Sequence, residues 1–162
     1  MMKRTIRQLQ FNGGVCVALF CKHFGIKHPF IDKFIVHQLN LLCAKNLPEW
    51  EGRGCRLNLS GLGDPLPKEI VTLLNGRNRE PFKLLIEVSA EIGLIDMYGR
   101  ESDQPSRFFK RCCDILTEQE IHLPFGSEDK RIEILTWGEP LNQIEFQQAL
   151  AGYAEILPTR SS

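Results

Sequence analysis

The stretch Phe82–Tyr98 limits most strongly what this chain can fold into, because apolar residues fill most of it. Its polar interruptions, Lys83, Glu87 and Glu91, recur every fourth residue, and residues four apart lie on one face of a helix. A strand of this length would be far longer than strands usually are. The spacing therefore predicts one helix that is buried on most of its circumference, with Gly99 as its C-terminal cap.

A second helix is predicted directly after the first. Ser102, Asp103 and Pro105 form a capping cluster with a proline in the first turn. An apolar face follows, made of Phe108, Phe109, Cys112 and Leu116. We expect the two helices to form a hairpin at the centre of the fold.

The fold class predicted for the whole chain is mainly α. We expect a compact single-domain bundle of about six to seven helices over residues 1–157, followed by a frayed tail at residues 158–162. The last helix is predicted from about Leu141 to Ile156 by its apolar spacing. Asn12–Gly14 is interpreted as a break between N-terminal segments, since two glycines are adjacent there.

Three other stretches are less regular. Residues 46–66 are rich in glycine and proline and are interpreted as a long loop. Two places allow at most a short strand or hairpin, Arg56–Leu59 and Arg131–Thr136. Ser127–Trp137 carries both helical capping residues and strand-like alternation, and the capping residues narrowly favour a helix.

Composition places the chain among ordinary globular proteins, with 43% hydrophobic and 25% charged residues. No apolar run approaches the roughly 20 residues that a membrane-spanning helix needs. The run Val15–Phe20 is too short for the apolar part of a signal peptide. We therefore expect a cytoplasmic protein with no membrane partner, in which the six cysteines are reduced.

Few residues form patterns that indicate catalysis or metal binding. Cys16, Cys21, His23 and His28 are a candidate zinc set, but their spacing is wider than the usual Cys-x2-4-Cys pair. The adjacent pair Cys112–Cys113 is interpreted as core packing. We therefore predict no metal site, no cofactor and no catalytic residue.

One thiol resembles an enzymatic nucleophile more than the others. Cys55 lies in the glycine-rich region between Arg53 and Arg56, whose charges would lower its pKa. This suggests an alternative function, a small hydrolase or thiol-dependent enzyme centred on the Trp50–Asp64 loop. That alternative requires a histidine within hydrogen-bond reach of Cys55.

The two halves of the chain differ strongly in charge. Residues 1–79 hold 12 Lys and Arg against 5 Asp and Glu, a net charge of +7, and residues 80–162 hold 8 against 15, a net charge of −7. Such asymmetry indicates either a charged partner or pairing between the two halves.

From this asymmetry we predict a non-enzymatic protein-binding module. Its acidic surface would engage a protein partner with a basic surface, as immunity proteins and antitoxins engage their toxins, whereas nucleic acid is an unlikely partner. The residues predicted to contact the partner are Glu87, Glu91, Asp96, Glu101 and Asp103.

Overall fold

The computed structural model describes residues 4–126 and 131–158. The described residues contain six helices of nine residues or more and two of a single turn. The helices are α1 (Ile6–Phe24), α2 (Pro29–Asn40), α3 (Leu47–Cys55), α4 (Lys68–Val71), α5 (Arg79–Glu91), α6 (Leu94–Met97), α7 (Gln104–Glu118) and α8 (Gln143–Ala151). No strand occurs in these residues, so the predicted mainly α bundle is confirmed.

The N-terminal helix α1, and not the predicted hairpin, lies at the centre of the bundle. It packs against α2, α5 and α7, and 14 of its 19 residues are buried. Thr5 caps its start by accepting the Gln8 N–H, and Gly25 ends it in the left-handed conformation with φ 69°. The prediction of a central α5–α7 hairpin was therefore partly wrong, because these two helices contact each other but both pack on α1.

The predicted break at Asn12–Gly14 was wrong, since α1 runs through it. A Cβ atom on Gly13 would lie 2.6 Å from Ile92 Cδ1. A Cβ atom on Gly14 would lie 3.1 Å from Gln38 Cβ. The two glycines thus allow α5 and α2 to approach α1 closely, and helix packing outweighs their low helix propensity.

The predicted single helix Phe82–Tyr98 was also wrong, because it is interrupted after Glu91. Gln10, on α1, donates from Nε2 to the Ser89 carbonyl oxygen at 2.7 Å and accepts the Gly93 N–H at Oε1 at 2.9 Å. These bonds satisfy backbone groups where the ladder of i to i+4 hydrogen bonds stops. The chain then continues as the single-turn helix α6.

The region 46–66 is more regular at its start than the sequence indicated. Asn46 caps α3 by accepting the Glu49 N–H at 2.9 Å. Trp50 is buried and donates from Nε1 to the His37 carbonyl oxygen at 2.8 Å. This anchor supports a helix that contains Gly52 and Gly54, while Arg56–Leu59 forms a turn and bends instead of a strand.

The predicted helix Ser127–Trp137 was wrong for residues 131–137, which are irregular, and residues 127–130 lie outside the described part. The Thr136 carbonyl oxygen accepts the Ile6 N–H at 2.9 Å, and the Glu133 carbonyl oxygen accepts from Ser106 Oγ at 2.8 Å. Donors on α1 and α7 therefore hydrogen-bond to carbonyl groups that, in a helix, would accept from N–H groups of the same segment. We call residues 131–140 the strap.

Candidate partner-binding surface

An open groove of about 370 Å³ lies between α5 and α7. The first turns of α5 meet the last turn of α7 there, so the two helices run antiparallel. Pro81, Leu84 and Ile115 form its apolar floor, and Leu84 is 37% exposed. The other residues that line the groove are Glu80, Lys83, Glu87 and Glu118.

The groove is acidic at its edges. Three carboxylates, those of Glu80, Glu87 and Glu118, face one ammonium group, that of Lys83. Within residues 4–126 and 131–158, no salt bridge joins any of the three carboxylates to a cation. Unpaired carboxylates around an apolar floor favour a ligand that is cationic and partly apolar.

Two of the predicted contact residues, Glu87 and Glu91, lie on α5 and are half-buried. Glu87 lines the groove, and it also lines a smaller gap beside Asn58–Pro67. Glu91 is the last residue of α5, one turn beyond Glu87. These two residues extend the line of carboxylates along α5, and their contact with a partner remains a prediction.

The other three predicted contact residues have partners within the chain. Asp96 is 3% exposed and accepts from Ser102 N and Ser102 Oγ, both at 2.7 Å. Glu101 accepts the Trp137 N–H at 2.9 Å. Asp103 pairs with Arg107 at 2.9 Å, and the hydrogen bond from Arg107 lowers the pKa of the Asp103 carboxyl group. These carboxylates hold the start of α7 and the strap in place.

The opposite charges of the two halves are not neutralised by ion pairs between them. Among the described residues, only the Arg4–Glu133 pair, at 2.9 Å, joins residues 1–79 to the acidic half. The other pairs are local, such as Arg53–Glu49 and Lys110–Asp114, each separated by four positions. Among the described residues, the carboxylates of α5 therefore have no salt-bridge partner.

In the alternative thiol site, Cys55 forms no hydrogen bond with a histidine of the described residues. Cys55 is exposed at the end of α3. All four histidines are described, and none of them forms a hydrogen bond with Cys55. His37, the nearest in the fold to α3, stacks on Trp50 with ring centroids 4.3 Å apart. Burial and the Arg53 charge lower the pKa of His37 to about 4.

The candidate zinc ligands are not brought together. Cys16 and Cys21 are buried in α1, whereas His23 is exposed. His28 caps α2, where its Nδ1 accepts the Phe30 N–H at 3.0 Å. Over the described residues, no group of three or more His, Cys, Asp or Glu side chains has the arrangement of a metal site.

Cys16 meets two further cysteines, Cys112 and Cys113, in the interface between α1 and α7. Cys16, Cys112 and Cys113 are fully buried, and the Cys16 side chain hydrogen-bonds to Cys113. Burial raises the pKa of the Cys16 and Cys112 thiols well above the ordinary value. These thiols therefore pack as small apolar groups and are poor nucleophiles.

Sequence reasoning did not assign the groove residues on α7 to a site. Ile115 and Glu118 are unremarkable in the sequence, because only the antiparallel packing of α7 on α5 places them beside Leu84. On α5, the spacing of Glu80, Leu84 and Glu87 by four and three residues is a detectable signal, since it predicts a common helix face.

Comparison with models of protein families, with curated proteins and with solved structures found no match to this chain. Among the described residues, no helix combines the length and the apolar character required to cross a membrane. The function of the groove between α5 and α7 is therefore inferred from the residues that line it.

Proposed function

We propose that this chain is a non-enzymatic protein-binding module that holds a basic segment of another protein in the α5–α7 groove. The observation that carries the proposal is the combination of an apolar floor at Leu84 and Ile115 with the unpaired carboxylates of Glu80, Glu87 and Glu118. The acidic edge continues along α5 to Glu91.

Each part of the groove has a separate physical role in this proposal. The carboxylates speed the encounter with a positively charged partner and disfavour acidic ones, whereas burial of apolar side chains on the floor supplies affinity. Binding of this kind weakens with added salt, because salt screens charges at the edge. This surface fits a protein that inhibits a basic enzyme, such as a nuclease, as immunity proteins and antitoxins do. We propose that the inhibition takes place in the cytoplasm.

The proposal is tested by reversing the groove charges together, in the variant Glu80→Lys/Glu87→Lys/Glu118→Lys. The matched control, Glu69→Lys/Glu120→Lys/Glu155→Lys, changes the net charge equally at exposed positions outside the groove. Tagged proteins are used to capture partners from lysate, and each partner is identified by mass spectrometry and purified. Its affinity for all three proteins is then measured by calorimetry at two salt concentrations.

We expect a basic partner that binds the wild-type protein and the control but binds the groove variant at least about a hundredfold more weakly. Loss of the apolar floor by Leu84→Ser should weaken the same partner without changing the salt dependence. The proposal fails if every partner binds the groove variant and the control equally well.

A further inference from the structure

One edge of the strap is attached to the bundle through alternate backbone carbonyl groups. The Arg131 carbonyl oxygen accepts from Arg4 Nη2 at 2.6 Å, and that of Glu133 accepts from Ser106 Oγ at 2.8 Å. Residues 131–135 run without a turn or a bend. Two carbonyl groups that accept from the bundle two residues apart match the repeat of an extended chain, in which the N–H and C=O groups of successive residues point in opposite directions. The backbone groups of Ile132 and Ile134 therefore point away from the bundle.

Ile132 and Ile134 also have no hydrogen-bond partner within residues 4–126 and 131–158. Their side chains are 40% and 68% exposed, respectively. Leu135, in contrast, is 7% exposed and belongs to the core. A β-branched, apolar edge with free backbone groups is a template on which another extended chain pairs.

We infer that the edge Arg131–Leu135 pairs with the same segment of a second copy of this chain. An antiparallel pairing centred on Glu133 places Ile132 opposite Ile134 of the second copy. It also places Ile134 opposite Ile132 of the second copy. Two opposite residues whose backbone groups face each other exchange two hydrogen bonds. The two Ile132–Ile134 pairs in this register therefore form four hydrogen bonds. Two cross-strand isoleucine pairs form at the same time, and the contact is symmetric about a twofold axis.

The charges of the segment favour a second copy in this register. Arg131 lies diagonal to Glu133 of the second copy on the same face of the ribbon, which is an attractive arrangement. The two Glu133 side chains lie opposite each other, but each is held by its own Arg4 at 2.9 Å. The ribbon is short and buries little area compared with stable dimers, so the association is weak and dependent on concentration.

The association is tested first on the unmodified full chain. Sedimentation velocity from micromolar to millimolar concentration should show a monomer that converts to a dimer. Over the same range, amide hydrogen exchange should slow at Ile132 and Ile134 and stay unchanged at Arg131 and Glu133. A monomer at every concentration, or equal slowing at all four amides, overturns the inference.

Variants at Ile134 test whether its backbone N–H group forms hydrogen bonds in the dimer. Ile134→Pro should weaken the dimer by about thirtyfold, because symmetry removes two backbone hydrogen bonds at once. Ile134→Thr keeps the N–H group and should weaken it only a few-fold. The control Ile144→Thr changes an isoleucine that is 72% exposed on α8 and should have no effect. A dimer that Ile134→Pro leaves intact would place the interface elsewhere and overturn the inference.

Discussion

The Cα atom of Gly13 faces Ile92 so closely that a Cβ atom there would lie 2.6 Å from Ile92 Cδ1. Contacts of this length do not occur without displacement of a neighbour, and Ile92 is fully buried. The contact joins α1 to the end of α5. It therefore explains why a glycine occupies the middle of the central helix.

Gly13→Ala should lower the free energy of unfolding by about 1–2 kcal/mol, because the cost of overpacking exceeds the gain in helix propensity. Ile92→Val removes Cδ1, and the double variant should recover most of the loss. Urea unfolding of the two single variants and the double variant measures this coupling. As a control, Gly52→Ala in α3 meets only Arg56 Nη1, at 4.0 Å, and should stabilise the protein by about 0.5–1 kcal/mol.

The stacked pair His37–Trp50 should make stability depend on pH. The pKa of His37 is lowered to about 4 in the fold, whereas in the unfolded chain it is near 6.5. The unfolded state therefore binds a proton first as the pH falls. The free energy of unfolding should decrease by about 3 kcal/mol between about pH 6.5 and pH 4 and should change little further through this group below pH 4.

The variant His37→Phe tests this assignment, because it keeps an aromatic ring on Trp50 and removes the titration. Urea unfolding at pH 7 and pH 4.5 should show a smaller difference for this variant than for the wild-type protein. His23→Phe, at an exposed position, should keep the full difference. An unchanged pH dependence in His37→Phe would show that other groups cause it.

Arg7 links α1 to the segment that follows α2 and to the strap, and it should contribute strongly to stability. Its side chain is buried and donates from Nη1 to the carbonyl oxygens of Leu41, at 2.8 Å, and Ala44, at 2.5 Å, and from Nε to that of Gly138, at 3.1 Å. Arg7→Met removes these three hydrogen bonds and should cost about 3 kcal/mol in urea unfolding.

Arg7→Lys should recover only part of that loss, since one ammonium group cannot reproduce the planar fork of donors. Arg77→Met, at an exposed position, should change stability by less than about 0.5 kcal/mol. If Arg7→Met were equally mild, the three hydrogen bonds would contribute little to stability.

The cysteines should differ widely in reactivity. Cys55 is exposed, whereas burial raises the pKa of Cys21 to about 12 and that of Cys16 and Cys112 well above the ordinary value. Thiolate is the reactive form. Iodoacetamide labelling of the native protein, followed by mass spectrometry, should modify Cys55 first and the four buried thiols, those of Cys16, Cys21, Cys112 and Cys113, only after unfolding. Labelling of Cys16 as fast as Cys55 would contradict the buried interface between α1 and α7.

Local sequence signals predicted several elements well. Pro105 in the first turn of α7 and the apolar spacing of that helix each act within a few residues, so a linear pattern reveals them. The acidic character of α5 was also evident, and Glu87 does line the groove. The roles of Asp96 and Glu101 were not evident, because Ser102 and Trp137 become their partners only in the folded chain.

Helical periodicity and capping, which are properties of neighbouring residues, were enough for the sequence to determine a mainly α fold, and the four-residue spacing of Glu87 and Glu91 was enough to place both on one face of α5. Tertiary structure alone decided that α1 is central, that Gly13 is a packing position, and that the strap is neither helix nor strand. Each of these depends on a contact between distant residues, such as Gly13 with Ile92 or Ile6 with Thr136. Such contacts supply packing space and hydrogen-bond donors that override local preference, and no pattern along the chain encodes them.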